Sequence, residues 1–175
     1  MGDGDSIGGE ALAALEAGGV PIERSRPDKD ESDTELAIRA AIRLGASGVV
    51  IVGALGGPRI DHAFANVGLL AMPELAGRSA TILDGRGRIG LIRAPGPDGE
   101  PVERRLPGRP GDLVSLLPMG AGVEGVTTSG LAYRLVDEPM PSGRARGLSN
   151  VRTAPLATVV VRRGQLLVVE SPATL

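Results

Sequence analysis

An α/β unit followed by an antiparallel β unit is the fold class that this sequence predicts, and three observations carry it. Between residues 10 and 83, segments with helical period alternate with short unbroken β-branched runs. Beyond Asp84 the helical period disappears, and short β-like runs are separated there by glycine and proline. Helices between strands imply a parallel sheet, and the second texture implies an antiparallel sandwich or small barrel. The change falls near residues 84–88, so residues 1–85 are expected to form a partial parallel α/β domain and residues 86–175 a β-sandwich domain.

Residues 10–17 read as a short helix stopped by Gly18-Gly19, with an extended stretch over 20–24. Ser32 stands three residues before Glu35, the spacing of a capping box, ahead of Leu36, Ala40, Ala41 and Leu44 at helical period, with Gly45 as the stop. Residues 48–53, Gly-Val-Val-Ile-Val-Gly, are expected as a strand covered on both faces. The next helix is expected over about 61–71, burying Phe64, Val67 and Leu70 before Pro73, and residues 79–83 as another buried strand. In the second half, strands are expected over 89–93, 113–117, 123–128, 131–135 and 158–169, the last folded at Arg163-Gly164. Residues 94–111, rich in proline and glycine, read as a long hairpin tip or mobile loop.

Composition removes several function classes. A net charge of −2 from 19 basic and 21 acidic residues offers no broad attraction for nucleic acid or anionic lipid, so neither is expected as a partner. With no cysteine, disulfides, thiolate metal sites and cysteine nucleophiles are excluded. No apolar run is long enough to span a bilayer and the start resembles no signal peptide, so a cytoplasmic location is the default expectation.

Three segments carry chemistry. In an extended Gly2-Asp3-Gly4-Asp5-Ser6, Asp3 and Asp5 point to one side, and two converging carboxylates suit Mg²⁺; the same residues are also a good turn sequence, the preferred reading of the motif alone. Lys29, the only lysine, stands beside Asp30 and Asp33 at a helix start, where Asp33 is either a metal ligand or simply a favourable first-turn charge. The third segment, Gly56-Gly57-Pro58-Arg59-Ile60-Asp61-His62, follows a strand and opens a helix, the place where open α/β sheets bind ligands. Arg59 offers a planar fork for phosphate, and Asp61 can hold a metal or orient the acceptor. His62 is assigned a structural role at the helix start. Neither a Walker A loop nor a dinucleotide fingerprint is present, which disfavours a redox cofactor.

Taken in order, these segments resemble the thiamine pyrophosphokinase (thiamin diphosphokinase) family, whose members carry Gly-Asp-x-Asp-Ser, Lys-Asp-x-Thr-Asp and Gly-Gly-x-x-Asp-His. The likeness continues in Ser129-Gly-Leu-Ala-Tyr133-Arg-Leu135 and Gly147-Leu-Ser149-Asn150, which match the family's Gly-Leu-x-Tyr and Gly-x-Ser-Asn patterns. The resemblance implies a nucleotide-binding α/β domain, a β-sandwich thiamine-binding domain, and a homodimer with thiamine between subunits. It implies transfer of pyrophosphate from ATP to thiamine, giving thiamine diphosphate and AMP, with Mg²⁺ as cofactor. Asp3, Asp5 and Asp33 would then be metal ligands, with Asp61 in the same catalytic acidic cluster. Lys29, Ser32, Arg59, Gly56 and Gly57 would bind ATP and its phosphates, while Ser149 and Asn150 would contact thiamine. Ser32 replaces the family's threonine and keeps the hydroxyl, and Val151 stands where many members have glutamate. Members also carry a strand and an Asp-Gly-Gly loop ahead of the first acidic motif, which are not found before Gly2, so an N-terminally truncated α/β domain is expected. The alternative is a truncated, non-catalytic nucleotide- or thiamine-binding remnant that dimerises; a generic metal-dependent phosphohydrolase leaves the Ser-Asn segment unaccounted for.

Overall fold

The computed structural model describes residues 7–24 and 28–173. Helix α1 (Gly9–Ala17) buries none of its residues, whereas α2 (Asp33–Arg43) is anchored: Ser32 Oγ accepts from the Glu35 N–H at 3.2 Å, and Ile38 is buried. Strand β1 (Gly48–Val52) follows, then α3 (Ile60–Leu69), a 3-10 turn at Pro73–Leu75, and β2 (Ser79–Asp84). The remainder is β: β3 (Gly87–Ala94), β4 (Val102–Pro107), β5 (Leu113–Ser129), β6 (Glu138–Met140), β7 (Asn150–Val151), β8 (Leu156–Val161) and β9 (Arg163–Ser171). Among the described residues no helix is long and apolar enough to cross a membrane.

The strands join one mixed sheet in the order β1-β2-β3-β9-β5-β8-β4, with β6 and β7 added to β5. Among the described residues only β1 and β2 are parallel, with Val50 opposite Thr81 and Ile51 opposite Ile82. The rest is antiparallel and curls into a half-barrel, so an α/β portion runs directly into a β-rich one. The curl is built on β5. Its first part pairs with β9, its register shifts between Met119 and Val123, and its last residues, Thr127 to Ser129, pair with β8. Glycines 120, 122 and 125, all at positive φ, stand at this bend.

Two apolar clusters result. In the α/β portion Ile38, Ile51, Leu70, Met72, Leu75 and Ile82 are buried together, so α2 and α3 lie on the face of β1 that carries Val49 and Ile51. In the half-barrel Leu106, Val114, Leu116, Val126, Val159, Val161 and Leu166 form the larger core. Arg152 is buried beside that core. Its Nη2 donates to Glu170 at 2.7 Å and its Nη1 to the Leu106 carbonyl, while Arg88 holds Glu170 through two bonds of 2.7 and 2.9 Å.

The structure corrects several sequence expectations. Strand β1 is covered on one face only, because both helices lie on one side and β2 is its one strand neighbour among the described residues; Val50 and Val52 are exposed. Phe64 is exposed as well, since the inward face of α3 runs through Ala63, Asn66 and Val67 to Leu70, and Phe64 stands beside that stripe. Residues 131–135 are not a strand but a turn segment tied to the 150–153 segment, with Leu131 bridged to Arg152. The expected fold of 158–169 into a hairpin is replaced by β8 and β9, which both pair with β5 instead of each other. The expected 94–111 loop contains β4, whose partner β8 lies some fifty residues further on, beyond the reach of a local pattern.

Candidate functional site

At the carboxyl end of β1 the chain passes Gly53 and Gly57, both at positive φ, and enters α3 at Arg59. Helix α2 runs back against β1, so its first turn lies at the same end: Asp33 and Thr34 share an open groove of about 490 Å³ with Val52, Gly53, Ala54 and Asn66. Asn66 Nδ2 donates to the Ala54 carbonyl at 2.9 Å and so fastens this loop to α3, a role that a lone polar residue in the apolar stretch after His62 could have signalled.

Each helix start pairs a carboxylate with a cation. Lys29 Nζ donates to Asp33 Oδ1 at 2.6 Å, with the lysine largely buried and the carboxylate more open. Arg59 donates to Asp61 through Nε at 3.0 Å and Nη2 at 2.5 Å. That hydrogen-bonded guanidinium, helped by the backbone N–H of His62, holds the Asp61 carboxyl well below the usual carboxylate range. Asp61 is not among the residues lining the groove that Asp33 enters. Gly56 and Gly57 are exposed on the loop, and His62 is exposed in the first turn of α3. Asp3 and Asp5 lie outside the described residues. Among the described residues no three or more His, Cys, Asp or Glu side chains stand together as a metal cluster. Asp33 and Asp61 are nonetheless oxygen donors of the type Mg²⁺ takes, each with a cation beside it.

A second constellation joins residues 128–135 to 147–153. Thr153 N–H donates to the Gly130 carbonyl at 2.9 Å and Ala132 N–H to the Val151 carbonyl at 2.8 Å. Gly130 has φ +67, and a Cβ there would stand 2.5 Å from the Leu156 carbonyl. At Gly147 a Cβ would run into the Leu116 carbonyl, which explains the glycines of both motifs by close backbone approach. Thr128, buried, accepts the Leu135 N–H at 2.9 Å. Ser149 is exposed at φ +54, with its N–H donating to Ser115 Oγ at 3.0 Å. A non-glycine residue held left-handed costs about 1–2 kcal/mol, a strain that clusters at functional positions. Asn150, also expected at the ligand, is buried, and its amide is engaged with the Tyr133 backbone. Sequence reasoning did not assign Thr128, Ser115 or Arg152; the alternation Asn150-x-Arg152 at period two was the available sign that both point inward.

The fold, an α/β portion running into a curled β sheet, is shared with solved structures of thiamin pyrophosphokinases. The Bacillus subtilis enzyme superposes with a TM-score of 0.82 at 22% identity, covering 98% of this chain and 77% of that one. The structures from Enterococcus faecalis (TM-score 0.80, 25% identity, 97% and 77% covered) and Geobacillus thermodenitrificans (0.78, 26%, 99% and 76%) agree. No curated protein matches the sequence significantly. Residues 1–82 match the family model of the thiamin pyrophosphokinase catalytic domain, and residues 102–166 that of its vitamin B1 binding domain. The chain belongs to the thiamin pyrophosphokinase family.

Proposed function

We propose that this protein is a Mg²⁺-dependent thiamine diphosphokinase that transfers the pyrophosphoryl group of ATP to thiamine and releases AMP. The observation that carries the reading is the doubled helix start: Lys29 with Asp33 and Arg59 with Asp61, presented at one end of β1. Residues 1–85 would supply the nucleotide half and residues 86–175 the thiamine half, in a cytoplasmic homodimer.

Phosphoryl-type transfer is mostly positioning and charge stabilisation. Bound Mg²⁺ would supply charge neutralisation at the polyphosphate, held by Asp33 together with Asp3 and Asp5, with Asp61 nearby. Lys29 and Arg59 each leave a carboxylate partner to meet phosphate oxygens, and the exposed Gly56-Gly57 backbone lets the chain approach them. Ser32 keeps α2 capped, so Asp33 stays in its first turn. In the reaction the thiamine hydroxyl oxygen bonds to the β-phosphorus, the bond to the α,β-bridging oxygen breaks, that oxygen leaves with AMP, and the hydroxyl proton is lost to solvent. Ser149 lies in the half that would receive thiamine.

AMP release from Mg-ATP with thiamine tests the reading. Asp33→Asn is expected to lower turnover on the order of 10²-fold, the scale of one removed electrostatic contact, whereas His62→Gln stays within about threefold. Equal losses would overturn the assignment of Asp33, and thiamine binding without AMP release would favour the non-catalytic binding protein.

A further inference from the structure

Strand β4 ends the sheet: it pairs with β8, and among the described residues no strand ladder joins it to β3, which it faces across a seam of the half-barrel. Arginine side chains cross that seam instead. Arg88 Nη2, from β3, donates to the Pro107 carbonyl at 2.8 Å, Arg104 Nη1, from β4, to the Leu91 carbonyl at 3.4 Å, and Arg152 Nη1 to the Leu106 carbonyl. Arg88 and Arg104 lie on the inner face, since they alternate there with the core residues Ile92 and Leu106. Among the described residues Glu170, bonded to Arg88 and Arg152, is the one carboxylate at ion-pair distance from any of the three. Asp84 and Asp112, at the same mouth, face arginines of their own, Arg86 at 2.9 Å and Arg109 at 3.5 Å. Three guanidiniums thus share one carboxylate, an excess of two positive charges. Arg104 is half-buried with one long hydrogen bond from its guanidinium, and that burial lowers its pKa. Arg152 Nε is buried with no partner among the described residues. Cationic groups withdrawn from water in this way favour a counter-anion.

The seam opens into a cavity of about 370 Å³ whose lining includes Arg88, Gly108, Arg109, Arg152 and Glu170. Lys29, Asp33, Arg59 and Asp61 do not line it, so it is separate from the charged helix starts. We propose that this mouth binds a small oxoanion carrying two negative charges, of the chemistry shared by a phosphate group and a short dicarboxylate. Arg109 meets the anion directly, because its exposed side chain is held to Asp112 only at 3.5 Å and can turn its planar fork inward. Arg88 stands on the opposite wall, and Arg104 and Arg152 behind it supply the attractive field. Gly108 gives the mouth its shape, since a Cβ there would stand 2.7 Å from Arg152 Nε. The bound anion offsets the excess charge and ties β4 to β3 where strand hydrogen bonds do not. The site does not depend on the transfer of pyrophosphate to thiamine.

The test uses the full chain in phosphate-free buffer with EDTA, titrated with sodium phosphate or sodium malonate against sodium chloride at equal ionic strength. Tm and calorimetric Kd are read together. At least one of the two anions is expected to raise Tm saturably beyond chloride, and the lower Kd tells phosphate from dicarboxylate. Arg109→Gln should weaken that anion about tenfold at unchanged Tm in its absence, the scale of a lost charged hydrogen bond. Arg104→Gln removes one charge of the excess and should weaken it about threefold, with a Tm in anion-free buffer no lower than that of the parent chain. Arg59→Gln, at the other cluster, should leave the Kd within about twofold. A loss confined to Arg59→Gln would place the anion at the helix starts and overturn the proposal. An equal Tm rise with chloride would mean screening alone, and no rise with either anion would make the arginines a closed ion-pair network; each overturns it. So would unchanged affinity in both Arg109→Gln and Arg104→Gln. AMP release from Mg-ATP with thiamine is scored separately, so the failure of one reading leaves the other standing.

Discussion

Val159 and Val161 on β8 have no exposed surface, whereas Val50 and Val52 on β1 are 63% and 75% exposed, although all four are β-branched residues in short strands. Neighbours, not residue type, make the difference. Strand β8 lies between β5 and β4 in a sheet that curls over its own inner face, so alternate side chains meet those of β4, β5 and β9. Strand β1 has β2 on one side and both helices on one face. The same local pattern is therefore a sealed core in one half and, among the described residues, a half-covered edge in the other. The β-rich half should behave as the stable frame and the α/β half as the part whose order depends on what lies against it.

The hardest way to break this contrast is to strike the charge cluster under the half-barrel. Arg152→Met removes the buried partner of Glu170 and of the Leu106 carbonyl, and is expected to lower unfolding free energy by about 3–5 kcal/mol. Denaturant unfolding followed by circular dichroism measures it; a loss under about 1 kcal/mol would mean that apolar packing alone holds that half. A paired truncation sharpens the comparison more directly. Val159→Ala deletes two buried methylene equivalents and should cost about 2 kcal/mol, while Val52→Ala should stay within about 0.5 kcal/mol. Equal losses at the two sites would show that β1 is covered in solution.

The smallest effect belongs to Asp61. Arg59 depresses its carboxyl pKa in the folded chain, so the pair's contribution is present above the ordinary carboxylate value of about 3.9 and is lost only as pH falls through the folded value. Both groups are exposed, so the contribution is small and screened. Asp61→Asn should therefore shift Tm slightly, by an amount that is constant between pH 5 and 8 and shrinks with added salt. A gap that varies across that range would show that another group titrates with Asp61.

Much of the local structure was legible because it follows from short-range chemistry. Ser32 caps α2 through Glu35, and Gly45, at φ +88, follows its end. The charge pairs at the two helix starts were also within reach, since Lys29 and Asp33 are four residues apart and Arg59 and Asp61 are two residues apart. Tyr133 and Asn150 are seventeen residues apart, and neither carries a local sign that one amide will serve the other's backbone. Phe64 looked like core because its period fits, but one position on a helix turns a side chain by about 100°, enough to leave the packed stripe.

By itself the sequence determined where helices cap and stop, the change of texture near residue 84, the family motifs and the charge carried to each helix start. These depend on neighbours a few residues away. Only the tertiary structure decided that β5 bends to serve both β9 and β8, that Arg152 is buried against Glu170, and that Asn150 turns inward to hold Tyr133 out. Those outcomes join residues far apart in the chain, and a pattern of period two or 3.6 states which face is apolar without stating what will cover it.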